Sequence, residues 1–342
     1  MGSTMRALVW KELNRVEQES YWPTPDLKNQ EIRVKIKAAG ICITDIHMIT
    51  GKLDFAKPPW ILGHEMSGII EQIGKDVTGW EVGERVIIDP VVSCGSCRYC
   101  LIGRKNMCAQ GGELGTTYGS GGYGELVTVK PSNLYRLPDE LSFAEGAMME
   151  PLNCTLGAID RVRNMVGSHV AVFGAGPAGL LFIQLAKAYG ALTVTLIDIR
   201  DEPLALGLQL GADYVVNSSR TALIDYFAGK EIDVVVEASG SVQAVKACME
   251  VVAPSGTVVL YGLNGSDQPS IPSDHIVAKD LTIVTCTSAP LLWDKGIRLV
   301  QGGKVNVKAI VTRQINFESA ETVINELVEG KNSSTKTVMI YS

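Results

Sequence analysis

Apolar and polar positions follow two different rhythms along the chain. In EIRVKIKAAG, from Glu31 to Gly40, apolar residues alternate with charged ones, the period of a half-buried strand. SGIIEQIG, ERVIID and YGELVTVK are further strand candidates, with turn signals at Thr78-Gly79 and Val82-Gly83 between them. From Met5 to about Pro151 this rhythm predicts a mainly antiparallel β structure. The texture changes from about Leu152 to Ser288. HVAVFGAG reads as a buried strand and PAGLLFIQLAKAYG as a helix. Strand LTVTLID, helix DEPLALGLQLGA, strand YVV and helix RTALIDYFAG follow. Strands IDVVVEAS and GTVVLYG come next, with helix SVQAVKACMEVVA between them. Strands with near-continuous apolar runs, alternating with helices, indicate a parallel sheet covered on both faces.

The segments VKAIVTRQINFESAETVINELVEG and TKTVMIYS return to strand, helix, strand and are assigned back to the first half. The predicted fold class is therefore α/β. A mainly β domain over residues 5–151 and 297–342 joins a doubly wound parallel-sheet domain over residues 152–296. The length of 342 residues agrees, because a single core usually stops growing at roughly 250–300 residues. No internal repeat or low-complexity tract stands out.

Composition narrows the function classes. Apolar residues make up 46% and charged residues 20%, as in ordinary globular proteins. A net charge of −6, with both signs interspersed, argues against a nucleic-acid binder, which needs a basic face. MGSTMRALVW lacks a basic segment followed by an apolar one, so it is not a secretory signal. Gly2 to Thr4 read as an added leader and are left out of the fold. The apolar stretch Val170–Ala186 is broken by Gly174, Gly176, Pro177 and Gly179, so it predicts strand, turn and helix rather than a membrane span. A cytoplasmic protein with no membrane partner is expected, in a compartment where disulfides rarely persist.

Gly174, Gly176 and Gly179 are spaced G-x-G-x-x-G between an apolar strand and a helix opened by Pro177. In that setting the first glycine permits the turn, the second lets a pyrophosphate approach, and the third packs helix on strand. The anion would sit on the helix N-terminus. Asp198 ends the next strand, where an acidic residue would bind the ribose hydroxyls and disfavour a 2′-phosphate. NAD is the expected cofactor, and Arg200, two residues on, leaves NADP open. The competing reading is a turn that serves another nucleotide or none.

Four of the eight cysteines, Cys94, Cys97, Cys100 and Cys108, fall within CGSCRYCLIGRKNMC. Four thiolates at this spacing can close a tetrahedral zinc site with no position left for substrate, which makes the site structural. An iron–sulfur cluster, disulfides or free thiols are the alternatives. A catalytic metal needs an open position and mixed donors. Cys42 in ICITDIH, His64 and Glu65 in LGHEMSG, and Glu150 in MMEPLNC offer them. Taken singly, each also reads as an ordinary buried or hydrogen-bonded side chain.

The chain resembles the zinc-dependent medium-chain alcohol and polyol dehydrogenases. GHEMSGIIEQIGKDVTGWEVGERV, from Gly63, is similar to the family's zinc signature, and CGSCRYCLIGRKNMC to its structural zinc lobe. GGYGELVTV and VFGAGPAGLL also fit, and the resemblance runs over essentially the whole chain from Met5. It implies a GroES-like catalytic domain beside a Rossmann domain, with one catalytic and one structural Zn2+. It implies a catalytic zinc on Cys42, His64 and Glu65 or Glu150, the two carboxylates able to exchange with water. It also implies that Thr44 contacts the substrate hydroxyl, that His47 passes the proton outward, and that Asp45 stands behind the metal ligands. The family often reads C-G-[ST]-D-x-H; Ile43 replaces the glycine here, which predicts a narrower, more apolar wall.

The implied activity is hydride transfer between a small alcohol and NAD, in a homodimer or homotetramer. Glu150 in EPLNC, where the simple animal alcohol dehydrogenases usually carry cysteine, points to the polyol and threonine branch. MITGKLDFAKPP lacks the aromatic-rich stretch of the threonine enzymes, and no arginine follows LTIVTCTS as in many polyol enzymes. These features disfavour threonine and sorbitol. They leave a secondary alcohol on a polyol, sugar or cyclitol-like ring, with a threonine or amino-alcohol dehydrogenase as the alternative. A reading of a different class is a zinc-free reductase or a non-catalytic nucleotide-binding scaffold.

Overall fold

A computed structural model describes residues 3–265, 267–288, 291–331 and 334–342. The chain divides into two compact units, Met1–Glu150 with Val311–Ser342, and Pro151–Ile310. Among the described residues no helix is long and apolar enough to cross a membrane.

The first unit is built on a seven-stranded sheet. Its path runs Arg313–Asn316, Thr337–Ile340, Ile32–Ile41, Glu65–Ile73, Arg85–Ile88 and Leu134–Arg136, with Leu126–Val129 pairing Ile32–Ile41. The alternation read in Glu31–Gly40 is the cause at its centre. Ile32, Val34 and Ile36 are buried, while the intervening Arg33, Lys35 and Lys37 are not. From Ala38 to Ile41 every residue is buried, because the strand is now covered on both sides. There Gly40 pairs Glu65 on one flank and Val338 on the other. This register brings the start of the Glu65–Ile73 strand and the chain's last strand to the same place. A hairpin of Thr4–Glu12 and Arg15–Pro23 contributes Ala7, Leu8, Val9 and Trp10 to the same core. Thr4, set aside with the leader, pairs Pro23 in it.

The second unit holds six parallel strands. Their order is Tyr214–Asn217, Thr193–Asp198, His169–Phe173, Val234–Glu237, Thr257–Leu260, Thr282–Val284. Numbered along the chain this is 3-2-1-4-5-6, a doubly wound Rossmann-type sheet with its order reversing beside His169–Phe173. The apolar stretch that invited a membrane reading is the first strand and the Pro177–Ala188 helix, in which Gly179 to Ala186 are all buried.

The return to the first unit falls at Val311, not at residue 297 as the sequence suggested. The helix Trp293–Gln301 buries Trp293, Ile297 and Val300. Lys295 pairs with Asp160, and the Asn306 amide donates to Gln184 Oε1 at 2.6 Å. Those contacts tie the segment to the second unit.

Candidate active site

Two metal-type clusters form in the first unit. The ligand atoms of Cys94, Cys97, Cys100 and Cys108 lie within 4.8 Å of one another, and so do those of Cys42, His64 and Glu65. In the four-cysteine loop the Ser96 and Cys97 amides pull the Cys94 thiol down to about 6. The Cys100 amide acts likewise on Cys97, but the bond with the Cys100 thiol and burial push Cys97 up to about 11. Thiols this close resist joint ionisation without a cation. The loop is fastened to the sheet by Lys105, whose Nζ lies 2.6 Å from the buried Asp89 Oδ2.

The second cluster is assembled by three chain segments. Cys42 follows the central strand and caps the Ile43–Ile49 helix, with its amide donating to Asp45 Oδ2 at 3.0 Å. His64 follows Gly63, whose φ is +92° and whose missing Cβ would stand 2.5 Å from the Tyr123 ring. Only glycine fits there. Glu65 opens the next strand, opposite Gly40; a Cβ at position 40 would lie 1.8 Å from Glu65 Oε2. Gly40 therefore clears the volume the carboxylate fills.

Behind the ligands stands Asp45, fully buried. Its Oδ2 accepts from Tyr123 Oη at 2.8 Å, and its Oδ1 lies 3.4 Å from the Gly63 amide and 3.5 Å from His64 Nδ1. Facing Nδ1 toward a carboxylate leaves Nε2 as the ligand nitrogen. Burial pulls the His64 pKa down, but the charges of Asp45 and Cys42 push harder and hold it well above the ordinary value. Burial raises Asp45, and His64 with the surrounding donors brings it below the usual range. The pocket is thus built for positive charge. The buried Glu65 Oε2 has no hydrogen-bond partner among the described residues. A sulfur, an imidazole nitrogen and a carboxylate oxygen with a spare lone pair fit zinc with an open position.

Thr44 and His47 lie one turn apart on the Ile43–Ile49 helix, both half-buried. Burial, and then the charge of Lys52, lower the His47 pKa. Ile43 is 63% exposed at the first position of that helix. Glu150 is 6% exposed and stands outside the Cys42–His64–Glu65 set.

In the second unit the three glycines divide the work. Gly174 has φ +101°, and a Cβ there would meet the Ser239 backbone at 2.9 Å. Gly176 has nothing within 4 Å, leaving an open approach, while a Cβ at Gly179 would lie 1.7 Å from the Gly174 carbonyl oxygen. Pro177 sits at the first helical position. Asp198 is already engaged: Oδ2 accepts from the Ala175 amide at 2.7 Å and Oδ1 from the Arg200 amide at 2.9 Å. Arg200 Nε lies 3.3 Å from the same Oδ1. The aspartate thus fixes the glycine turn.

Lys336 and Tyr123 escaped the sequence reading. Lys336 Nζ lies 2.6 Å from Glu65 Oε1 with both side chains buried. The available signal was a lysine heading an otherwise apolar final strand.

This combination of units is the architecture of zinc-binding dehydrogenases, and the comparisons with known proteins agree. The alcohol dehydrogenase GroES-like domain matches residues 28–139, and the zinc-binding dehydrogenase domain matches residues 177–301. The "Probable D-xylulose reductase A" of Aspergillus fumigatus is 32% identical over 326 residues, covering 92% of this chain and 91% of its own. A solved chain from Sinorhizobium meliloti 1021, bound to NADP, superposes with a TM-score of 0.90 at 30% identity, covering 99% of each chain. An Escherichia coli CFT073 alcohol dehydrogenase complexed with NADH gives 0.91 at 28% identity, covering 99% of this chain and 100% of its own. The chain belongs to the zinc-binding medium-chain dehydrogenases of the polyol dehydrogenase-like kind.

Proposed function

We propose that the protein oxidises a secondary alcohol on a polyol, sugar or cyclitol-like ring with NAD, using zinc held by Cys42, His64 and Glu65. The observation that carries this reading is the S, N, O donor set within 4.8 Å, with one buried carboxylate oxygen left without a partner among the described residues. Bound there, zinc would supply Lewis acidity toward the substrate hydroxyl oxygen, and a nicotinamide, when bound, would supply the acceptor for the carbinol hydride.

The chain's own residues handle the proton. Thr44 accepts it from the substrate hydroxyl and gives its own to His47, one helical turn along the same face. Burial and Lys52 keep the His47 ring neutral, hence able to accept. Asp45 holds His64 in orientation, and Ile43 supplies an apolar wall beside Cys42. Glu150, buried and outside the Cys42–His64–Glu65 set, is not proposed as a resting ligand. The four-cysteine loop holds a structural zinc. The relative's D-xylulose name supports a sugar or polyol substrate, and Asp198 favours NAD.

The test is nicotinamide reduction with NAD and with NADP against polyols, sugars, cyclitols, threonine and amino alcohols. Turnover of a polyol-type alcohol with NAD, lost in Cys42→Ala while NAD still binds, is expected. Turnover confined to threonine or amino alcohols would move the substrate class. Full activity of Cys42→Ala would remove the mechanism.

A further inference from the structure

The buried hydroxyl of Tyr123 has no part in the proton path. It belongs instead to Asp45, whose Oδ1 faces His64 Nδ1 and whose Oδ2 accepts from the Cys42 amide. We propose that Tyr123 is a positioning residue of the Cys42–His64–Glu65 centre, fixing through Asp45 the orientation in which His64 meets the metal. The inference rests on the zinc reading given above.

The geometry leaves Tyr123 little freedom. The residue is 1% exposed. Its amide donates to the Leu62 carbonyl at 3.0 Å, and its carbonyl accepts from the Leu8 amide at 2.8 Å. Its ring fills the space beneath Gly63 that a Cβ would need. From this fixed base the hydroxyl donates to Asp45 Oδ2 at 2.8 Å. A hydroxyl donating to a carboxylate is a charge-assisted bond. The Cys42 amide grips the same oxygen at 3.0 Å. Together the two donors set the carboxylate plane, and with it the direction in which Oδ1 faces His64 Nδ1. The contacts of Oδ1 itself are long, 3.4 Å to the Gly63 amide and 3.5 Å to His64. They are too weak to hold the plane alone. Without the Tyr123 hydroxyl, Oδ2 keeps one donor and the carboxylate can turn about its Cβ–Cγ bond. Groups behind metal ligands typically contribute 10–100-fold to metal affinity. Tyr123 acts one bond further out, so about a tenfold effect is expected.

The test is zinc release to a chelator from the zinc-loaded full chain. The four-cysteine zinc serves as internal control, and a Cys42→Ser chain identifies which phase belongs to which site. Tyr123→Phe keeps the ring under Gly63 and removes only the hydroxyl. In this variant the Cys42–His64–Glu65 zinc is expected to leave about tenfold faster. The four-cysteine phase should not change, and the visible spectrum of the cobalt-substituted site should shift. In an Asp45→Asn background, adding Tyr123→Phe is expected to change nothing more. Equal release rates and an unaltered cobalt spectrum, even with a lower thermal midpoint of the metal-free chain, would make Tyr123 a packing residue and overturn the inference alone. Should Tyr123→Phe not fold, the Asp45→Asn chain decides: release at the wild-type rate overturns the inference, and faster release upholds the path through Asp45. A wild-type chain that holds only the four-cysteine zinc would overturn the functional reading, and this inference with it.

Discussion

Lys336 Nζ and Glu65 Oε1 lie 2.6 Å apart, both buried, although the residues are 271 positions apart in sequence. Burial pulls the lysine's pKa down, but the charge of Glu65 and then of Cys42 outweighs it and keeps the ammonium charged. A buried pair of this kind costs desolvation to assemble, and losing one partner strands the other. Lys336→Met is therefore expected to destabilise the metal-free protein by about 3–5 kcal/mol. Zinc beside Glu65 would replace part of the lost positive charge, so the loss should be smaller in the zinc-loaded chain. Urea unfolding with and without zinc measures both. An equal loss in the two states would mean that Glu65 does not face the metal.

His47 gives the pH dependence its sign. The proposed proton path needs the neutral ring as acceptor, and burial with Lys52 places its pKa below the ordinary histidine value. Activity should therefore fall only as pH drops through that lowered value. Lys52→Gln removes a repelling charge, raises the His47 pKa and should move the acid limb of the rate profile to higher pH. His47→Gln should lower kcat by about a hundredfold and flatten the limb. An acid limb that ignores both substitutions would remove His47 from the proton path.

In the proposed reading, Asp198 ties cofactor choice to the shape of the glycine turn. Because Oδ2 holds the Ala175 amide at 2.7 Å, Asp198→Ala is expected to lose the proposed ribose contact and the turn's fastening together. The KM for NAD should rise at least about tenfold, the worth of one hydrogen bond to a charged group. No matching gain with NADP is expected. Steady-state kinetics with both cofactors checks this; a variant that simply exchanges NAD for NADP would show that the turn needs no such tie.

The fold was legible wherever the rhythm of burial was simple. The alternation at Ile32, Val34 and Ile36, and the unbroken apolar runs of the parallel strands, each report one environment. The boundary at Val311 was not legible, because the Trp293–Gln301 helix is amphipathic and its apolar face does not say which core it joins. The ligand-type residues Cys42, His64 and Glu65 stood out by type and motif, and the fold brings them together. Lys336 and Tyr123 did not stand out. A lysine and a tyrosine near strands are usually surface or core residues. Only the register that sets Gly40 between Glu65 and Val338 shows what Lys336 faces. The close packing of Tyr123 under Gly63 was equally invisible, since no local pattern records a contact across sixty positions.

The most direct measurement is the zinc content of the purified chain and of its Cys42→Ser variant, by elemental analysis. Two zinc ions per wild-type chain are expected, and one in the variant, with the four-cysteine site still filled. One zinc in both chains would leave the Cys42–His64–Glu65 cluster without a metal and contradict the proposed chemistry.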